Sequence, residues 1–248
     1  MQPKIVGIIS SPSRNGNTAV LVREALRAAA ESGAEVGEIF LPEHRLQYCT
    51  GCLHCMSAGG CPLPDDFEEI RRTLYACDGI VIGSPTYGQR PNAMMKNLFD
   101  RLGMFTLYAS SLAGKYVVGI STADGFGASK VAKQVTGIVF GMFGHGYVTG
   151  TLGVLRSGKR VEEKPEALQR ARELGFKLAA DIEHRRRYPF QALLPRMVTA
   201  LIVRRFILRS ILDNSEGCMK AVYENLVARG LIRPVTKAGD MREQVASS

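Results

Sequence analysis

Cys49, Cys52, Cys55 and Cys61 stand in the arrangement C-x2-C-x2-C-x5-C, with Pro62 directly after the last. Two-residue spacers let three thiolates wrap a small object from one tight loop, and a fourth closes from slightly further along. That is what a cubane iron–sulfur cluster requires, and protein-bound clusters use nearly this run, down to the proline. Structural zinc sites usually join two separated ligand pairs instead. Cysteines three apart in a tight loop bridge poorly, and nothing else in the chain looks secreted, which disfavours disulfides. The pattern assigns the four cysteines to a [4Fe–4S] site, with redox-active or vestigial thiols as the alternative.

A second constellation lies near the N-terminus. Ser10-Ser11-Pro12-Ser13-Arg14-Asn15-Gly16-Asn17-Thr18 follows an apolar run and leads into a helix. Free backbone N–H groups and the helix dipole favour an anion at such a junction. The Ser11, Ser13 and Thr18 hydroxyls, the Asn15 and Asn17 amides and the Arg14 guanidinium would complete a phosphate cradle. Neither G-x-x-x-x-G-K-[ST] nor G-x-G-x-x-G is present, so the loop matches no nucleotide-triphosphate or dinucleotide motif. The same residues would also serve a loop that merely turns the chain and caps the helix. Two further loops, Gly83 to Asn92 and Ser121 to Gly127, offer flat backbone and amide donors. Pro85, Thr86, Tyr87 and Gly88 could wall a planar ring, and Ser121, Asp124, Gly125 and Gly127 belong to the other loop.

Strands and helices must bring these loops together. Lys4–Ile9 reads as a buried strand, followed by a helix with Val22, Ala25, Leu26 and Ala29 on one stripe. Further strands are predicted at about 34–40, 79–83, 116–121 and 147–152. Helices are predicted from the Asp65-Asp66 cap to Tyr75 and at about 92–102, 128–143 and 164–183. Five strands alternating with helices indicate a doubly wound α/β fold, a parallel sheet covered on both faces, with 2-1-3-4-5 as the expected order. In such a sheet ligands bind beyond the carboxyl ends of the strands at the switch point, where all three loops fall.

The run from Lys4 to Thr18, the four cysteines, and the segment from Gly83 to Arg101 ending Met94-Met95-Lys96-Asn97-Leu98-Phe99-Asp100-Arg101 resemble the iron–sulfur flavoproteins of the NAD(P)H-dependent FMN reductase superfamily. The resemblance covers roughly residues 4 to 183. It implies a flavodoxin-like fold, FMN as the flavin and a cluster in the loop after the second strand, within 47–64. By position it gives the phosphate to Ser11, Ser13, Arg14, Asn17 and Thr18, and the isoalloxazine to Pro85–Gly88 and Ser121–Gly127. It also suggests a homodimer or homotetramer in which the cluster of one subunit approaches the flavin of another. An FMN-dependent oxidoreductase would then pass electrons between NAD(P)H or a ferredoxin-like one-electron donor and a small acceptor. A cluster-free FMN or quinone reductase and a non-enzymatic electron carrier are the rival classes. No residue is assigned to proton transfer, since Tyr87 is expected to pack on the ring.

Composition suits this picture. The chain of 248 residues is 46% hydrophobic and 22% charged, enough for a substantial core. It reads as one domain over 1–183 with a helical extension over 184–248. It opens Met1-Gln2-Pro3-Lys4 without a signal-peptide pattern, and a reducing cytoplasm is expected. Net charge is +9, yet seven arginines and no acidic residue lie between His184 and Leu212, so the rest of the chain carries only +2. No nucleic-acid motif accompanies that charge. Leu193, Leu194, Met197, Val198, Leu201 and Ile202 share helical spacing in a stretch too short to span a membrane. This helix is expected to pack on a neighbouring subunit, with contact to an anionic membrane surface or an acidic electron donor as the alternative. Another helix is expected over 213–230. Cys77 and Cys218 read as buried structural thiols, His44 and His54 as solvated loop residues, and His145 as part of a turn.

Overall fold

The computed structural model describes residues 2–189, 191 and 204–234. Four of its principal strands, β1 (Lys4–Ile9), β3 (Gly79–Tyr87), β5 (Tyr116–Ala123) and β6 (Tyr147–Leu155), run beside β2 (Glu35–Phe40) in the order β2-β1-β3-β5-β6. Every neighbouring pair on that path is parallel. This is the expected 2-1-3-4-5 arrangement of a flavodoxin-like sheet, counted over the five long strands. β5 is buried along its whole length, as a strand covered on both faces must be. The edge strand β2 exposes Glu35 and Glu38, charges that discourage further pairing.

The two sheet faces collect different helices. α1 (Asn17–Glu31) and α6 (Pro165–Glu183) cover one face, where Leu21, Val22, Ala25, Ala171 and Leu178 meet Ile5, Ile9, Val118 and Ile120. α1 and α6 touch at Gly175, where a Cβ would sit 2.0 Å from the Ala25 carbonyl oxygen. The other face holds α3 (Phe67–Ala76), α4 (Ala93–Ala109) and α5 (Ala128–Val135), whose Phe67, Ile70, Leu74, Met95, Leu98 and Val131 pack on Ile8, Ile80 and Ile82. The short α2 (His54–Ala58) lies inside the cysteine loop.

Three of the boundaries that differ from the sequence expectation do so for a local reason. The third strand continues past Gly83 to Tyr87 and folds back as a two-residue strand, β4 (Arg90–Pro91), pairing Thr86 with Pro91 and Tyr87 with Arg90. Gly88 and Gln89, at φ 54° and 61°, form the two-residue turn, whose left-handed residues match the twist of a tight hairpin. α4 runs on through Gly103 to Ala109 because Phe105 and Ala109 have a further surface to cover. The helix expected over 128–143 ends at Val135 and gives way to a 3-10 turn at Thr136–Val139. Beyond it the chain passes so close to α4 that a Cβ on Gly141 would lie 2.4 Å from the Ser110 hydroxyl.

That further surface is the C-terminal extension. The helix expected over 213–230 is α8 (Lys220–Ala228), and turns separate it from α7 (Arg204–Asp213) before it. Leu208, Ile211, Leu212, Val222 and Leu226 form a third apolar cluster with Phe105, Ala109, Phe143 and Met56 of the cysteine loop. The Arg229 guanidinium donates to the carbonyls of Ser110 and Ala113. The apolar set from Leu193 to Ile202 lies outside the described residues. No helix among the described residues is long and apolar enough to cross a membrane.

Residues 204–234 are thus part of this chain's own core. Deleting everything after Glu183 should lower the thermal midpoint by roughly 10 °C, because each large side chain uncovered forfeits about 1.5–3 kcal/mol and each kcal/mol is worth about 2–4 °C at this size. Calorimetry showing an unchanged midpoint would refute this packing, whatever light scattering says of the assembly.

Candidate functional site

The three ligand loops converge through hydrogen bonds between strand ends. Ser10 N–H donates to the Gly83 carbonyl at 3.0 Å, tying β1 to β3 just before the first loop opens. Asn92, the N-cap of α4, is buried and donates from Nδ2 to the Ser10 carbonyl at 2.6 Å. Its backbone N–H donates to the Ser84 hydroxyl at 3.0 Å, and its Oδ1 accepts from Met95 N–H. Ser121 Oγ donates to the Ser84 carbonyl at 2.6 Å and lies 2.8 Å from Thr86 Oγ1. Thr18 and Thr122 share a buried hydroxyl contact at 2.7 Å.

Over this network lies an open shelf. Pro85 and Thr86 are half-buried, while Tyr87, Gly88, Asp124 and Gly125 are exposed, and so is Phe126 on the neighbouring loop. Gly127, at φ 93°, starts α5 beside Thr86 and Gln89. The first turn of α1 carries no side-chain cap, which leaves its amide donors for an anion. A Cβ on Gly16 would meet the Ser11 hydroxyl at 2.3 Å and the Ser13 carbonyl at 3.0 Å, so the loop closes tightly around this glycine. These features fit a flavin phosphate.

Several side chains expected to grip that phosphate are engaged elsewhere. Arg14 pairs with Glu43, comes within 3.8 Å of Glu38, and stacks 4.9 Å from the Phe40 ring. Its guanidinium is thereby held at the end of β2. Asn17 Oδ1 accepts from Val161 N–H at 2.8 Å, and Thr18 is buried against Thr122. Ser11 is buried, whereas Ser13 and Asn15 are exposed. Asp124 is paired with Arg156 at 2.5 Å, which holds its carboxyl below the usual range even though it is exposed. Arg160, unmarked in the sequence, donates to the Asn15 carbonyl at 2.8 Å. It lies 145 residues away in the chain, so no local pattern reveals it.

The cysteine loop is built separately. All four cysteines line one recess, with Leu63, Asp100, Arg101 and Met104 completing the wall. Three residues of the loop adopt left-handed backbone, Gly51, Leu53 and Gly59, and in Leu53 (φ 56°) that conformation is strained. Strain of this kind persists where the surroundings over-determine the loop. α3 grips one arm, with Glu68 Oε1 accepting from Cys61 N–H at 2.7 Å and Arg71 donating to the Gly59 carbonyl at 2.5 Å. α4 grips the other, where Asn97 Nδ2 donates to the Leu46 carbonyl at 3.1 Å and Arg101 to that of Gln47 at 2.8 Å.

Arg101 and Asp65 are the centre of this clamp. Their side chains are 1% and 0% exposed, and the guanidinium meets both carboxylate oxygens, at 2.6 and 3.0 Å. Burial alone would raise the Asp65 carboxyl, but Arg101 and the amides of Gln47 and Phe67 outweigh it and hold the group below its usual range. Asp65 accepts from the Phe67 amide at the start of α3, as the expected helix cap would, and is also the counter-ion of Arg101. Arg101 Nη2 also donates to Cys61 Sγ at 3.3 Å.

The recess fits a cluster. Burial raises the Cys55 thiol, and Cys61, Cys49 and Cys52 lie near enough to raise it further by charge repulsion. Cys52 is lowered by hydrogen bonds from the His54 amide and the Thr50 hydroxyl. Among the described residues no three His, Cys, Asp or Glu side chains close on one point as a single ion needs. All four cysteines instead share one recess, as a cluster held by several thiolates requires. Of the other thiols, Cys77 is buried as expected, donates to the Leu74 carbonyl, and is pushed up to about 11 by burial. Cys218 was expected to be buried in a helix; it is exposed in the turn before α8. His44 lies 3.9 Å from Asp66, His54 is exposed, and His145 bridges to Phe140 in the loop before β6.

Comparison with known proteins agrees with both halves. The family described as NADPH-dependent FMN reductase matches residues 3–156. An iron–sulfur flavoprotein of Archaeoglobus fulgidus is 30% identical over 232 residues, 92% of this chain and 100% of that protein. Another, from Methanocaldococcus jannaschii, is 46% identical over 98 residues, 40% of this chain and 51% of its own length. Among solved structures, a flavone reductase superposes with a TM-score of 0.59 at 21% identity, over 73% of this chain and 63% of that one. An NAD(P)H:quinone oxidoreductase from Methanothermobacter marburgensis gives 0.55 at 16% identity, over 72% and 100%. At these identities the structures speak for the fold alone.

Two outcomes follow from the geometry. Asp65→Ala should cost about 3–5 kcal/mol in urea denaturation, because it leaves a buried guanidinium without its counter-ion; a cost below 1 kcal/mol would show that the pair is not buried. Brief iodoacetamide treatment at pH 8 should label Cys218 and leave Cys77 unmodified, since a thiol titrating near 11 is almost wholly protonated there. Peptide mass spectrometry showing equal labelling would contradict that burial.

Proposed function

Because the chain belongs to the iron–sulfur flavoproteins within the NADPH-dependent FMN reductase family, we propose that it is an FMN-dependent oxidoreductase with a [4Fe–4S] cluster, moving electrons between NAD(P)H or a one-electron carrier and a small acceptor. The observation that carries this reading is the single recess lined by Cys49, Cys52, Cys55 and Cys61, clamped by the same helix whose N-cap organises the flavin shelf. When bound, FMN supplies one- or two-electron chemistry and the cluster supplies one-electron transfer.

The chain's own residues supply the rest. Amides at the start of α1 and the Ser11 and Ser13 hydroxyls receive the phosphate. Pro85 to Gly88 and Ser121 to Gly127 hold the ring, with Thr86 and Ser121 fixed to each other at 2.8 Å. Tyr87 and Phe126 stand exposed beside it as apolar cover. Cys49 and Cys52 lie at the surface, where a donor protein or a second protomer can approach. The reading includes a homodimer or homotetramer and a ferredoxin-like donor.

Anaerobically purified protein should show flavin bands with broad additional absorption that dithionite bleaches. Alanine at any one of the four cysteines should lose iron and labile sulfide while FMN stays bound. Stoichiometric iron in such a variant would refute the ligand assignment. A flavin spectrum with no iron in the wild type would leave a cluster-free reductase. Absence of steady NAD(P)H turnover would point to a protein reductant.

A further inference from the structure

The clamp between α4 and the cysteine loop does more than its structural duty requires. A buried arginine must have its charge paired and its donors satisfied. Asp65, the Gln47 carbonyl and the Phe67 ring, 4.4 Å from the guanidinium carbon, form a binding pocket for that charge. Arg101 Nε has no hydrogen-bond partner, yet Nη2, already bonded to Asp65, also reaches Cys61 Sγ. A buried cation therefore touches one of the four sulfurs.

We propose that Arg101 is a positioning residue that raises the reduction potential of the cluster through its hydrogen bond to Cys61 Sγ, and that Asp65 opposes it. The proposal rests on the reading that the four cysteines hold a cluster. Reduction adds one electron, taken from the donor, to a site already carrying four thiolates. Arg101 keeps its proton throughout, so no proton accompanies the electron at this corner. A donor aimed at a ligating sulfur draws charge from it and stabilises the more negative state. The guanidinium is nearly free of solvent, so its field is weakly screened. Asp65 lies behind it and cancels part of that field. Lysine could not replace arginine here, because one ammonium lacks the planar fork that meets the carboxylate, a carbonyl and a sulfur together.

The test is an anaerobic redox titration of the full chain, poised with dithionite and followed by electron paramagnetic resonance, on wild type, Arg101→Gln, Arg101→Lys and Asp65→Asn. Arg101→Gln should lower the cluster midpoint, by about tenfold in the one-electron equilibrium or about 59 mV. Arg101→Lys should lower it less, and Asp65→Asn should raise it. The flavin midpoint should stay constant across the series. Urea denaturation of the apoproteins should weaken for all three variants alike, so only a tuning role gives shifts of opposite sign. Equal midpoints, or shifts of one sign for Arg101→Gln and Asp65→Asn, would overturn the proposal. Loss of iron from every variant would overturn it as well, leaving Arg101 as a clamp alone. A wild type without iron would instead refute the cluster reading on which the proposal stands.

Discussion

The buried pair of Arg101 and Asp65 is the constraint around which the redox half of this protein is arranged. Desolvating two charges is costly, and the cost is offset only when every remaining donor and acceptor finds a partner. Those partners are the backbone groups of Gln47 and Phe67 and the sulfur of Cys61, and only Arg101 Nε goes without one. Both ends of the cysteine loop are thereby fixed by one electrostatic requirement. Strain at Leu53 can be maintained because the loop has little freedom left to relieve it.

α4 extends that constraint to the flavin side. Its N-cap, Asn92, bonds the end of β1 and the β3 loop, and nine residues later Arg101 bonds the cysteine loop. Nine residues of helix rise about 13.5 Å. A rigid helix with a buried polar anchor at each end holds the two loops in one frame. Neither anchor tolerates slippage, because a displaced Asn92 or Arg101 would leave unpaired polar groups in the interior.

The C-terminal helices complete the same frame from the other side. α7 and α8 pack on Phe105 and Ala109 near the end of α4 and on Met56 within the cysteine loop. Burial of Met56 anchors α2 independently of the charges. The loop is therefore held by an ion pair on one flank and by apolar packing on the other, and its outer cysteines, Cys49 and Cys52, remain at the surface.

Local sequence determined the alternating elements, because a strand covered on both faces must be continuously apolar and its crossover helices must carry one apolar stripe. It also marked the four candidate ligands, since they stand within thirteen residues of one loop. The strand order followed from general topology, and the loops at Ser11, Pro85 and Ser121 were legible because turn residues stand where strands end. Tertiary structure decided what those loops do with their side chains. Arg14 was read as a phosphate ligand because it lies in the right loop, and only the fold shows that Glu38 and Glu43, far along the chain, stand beside it. Asp65 read as a helix cap, which it is, but local spacing cannot show the guanidinium 36 residues away that it also meets. The hairpin at β4 was hidden by Pro85 and Pro91. Periodicity and motif spacing report what neighbours in sequence can do together, whereas the partner of a charge is fixed only when the sheet brings distant segments within hydrogen-bonding reach.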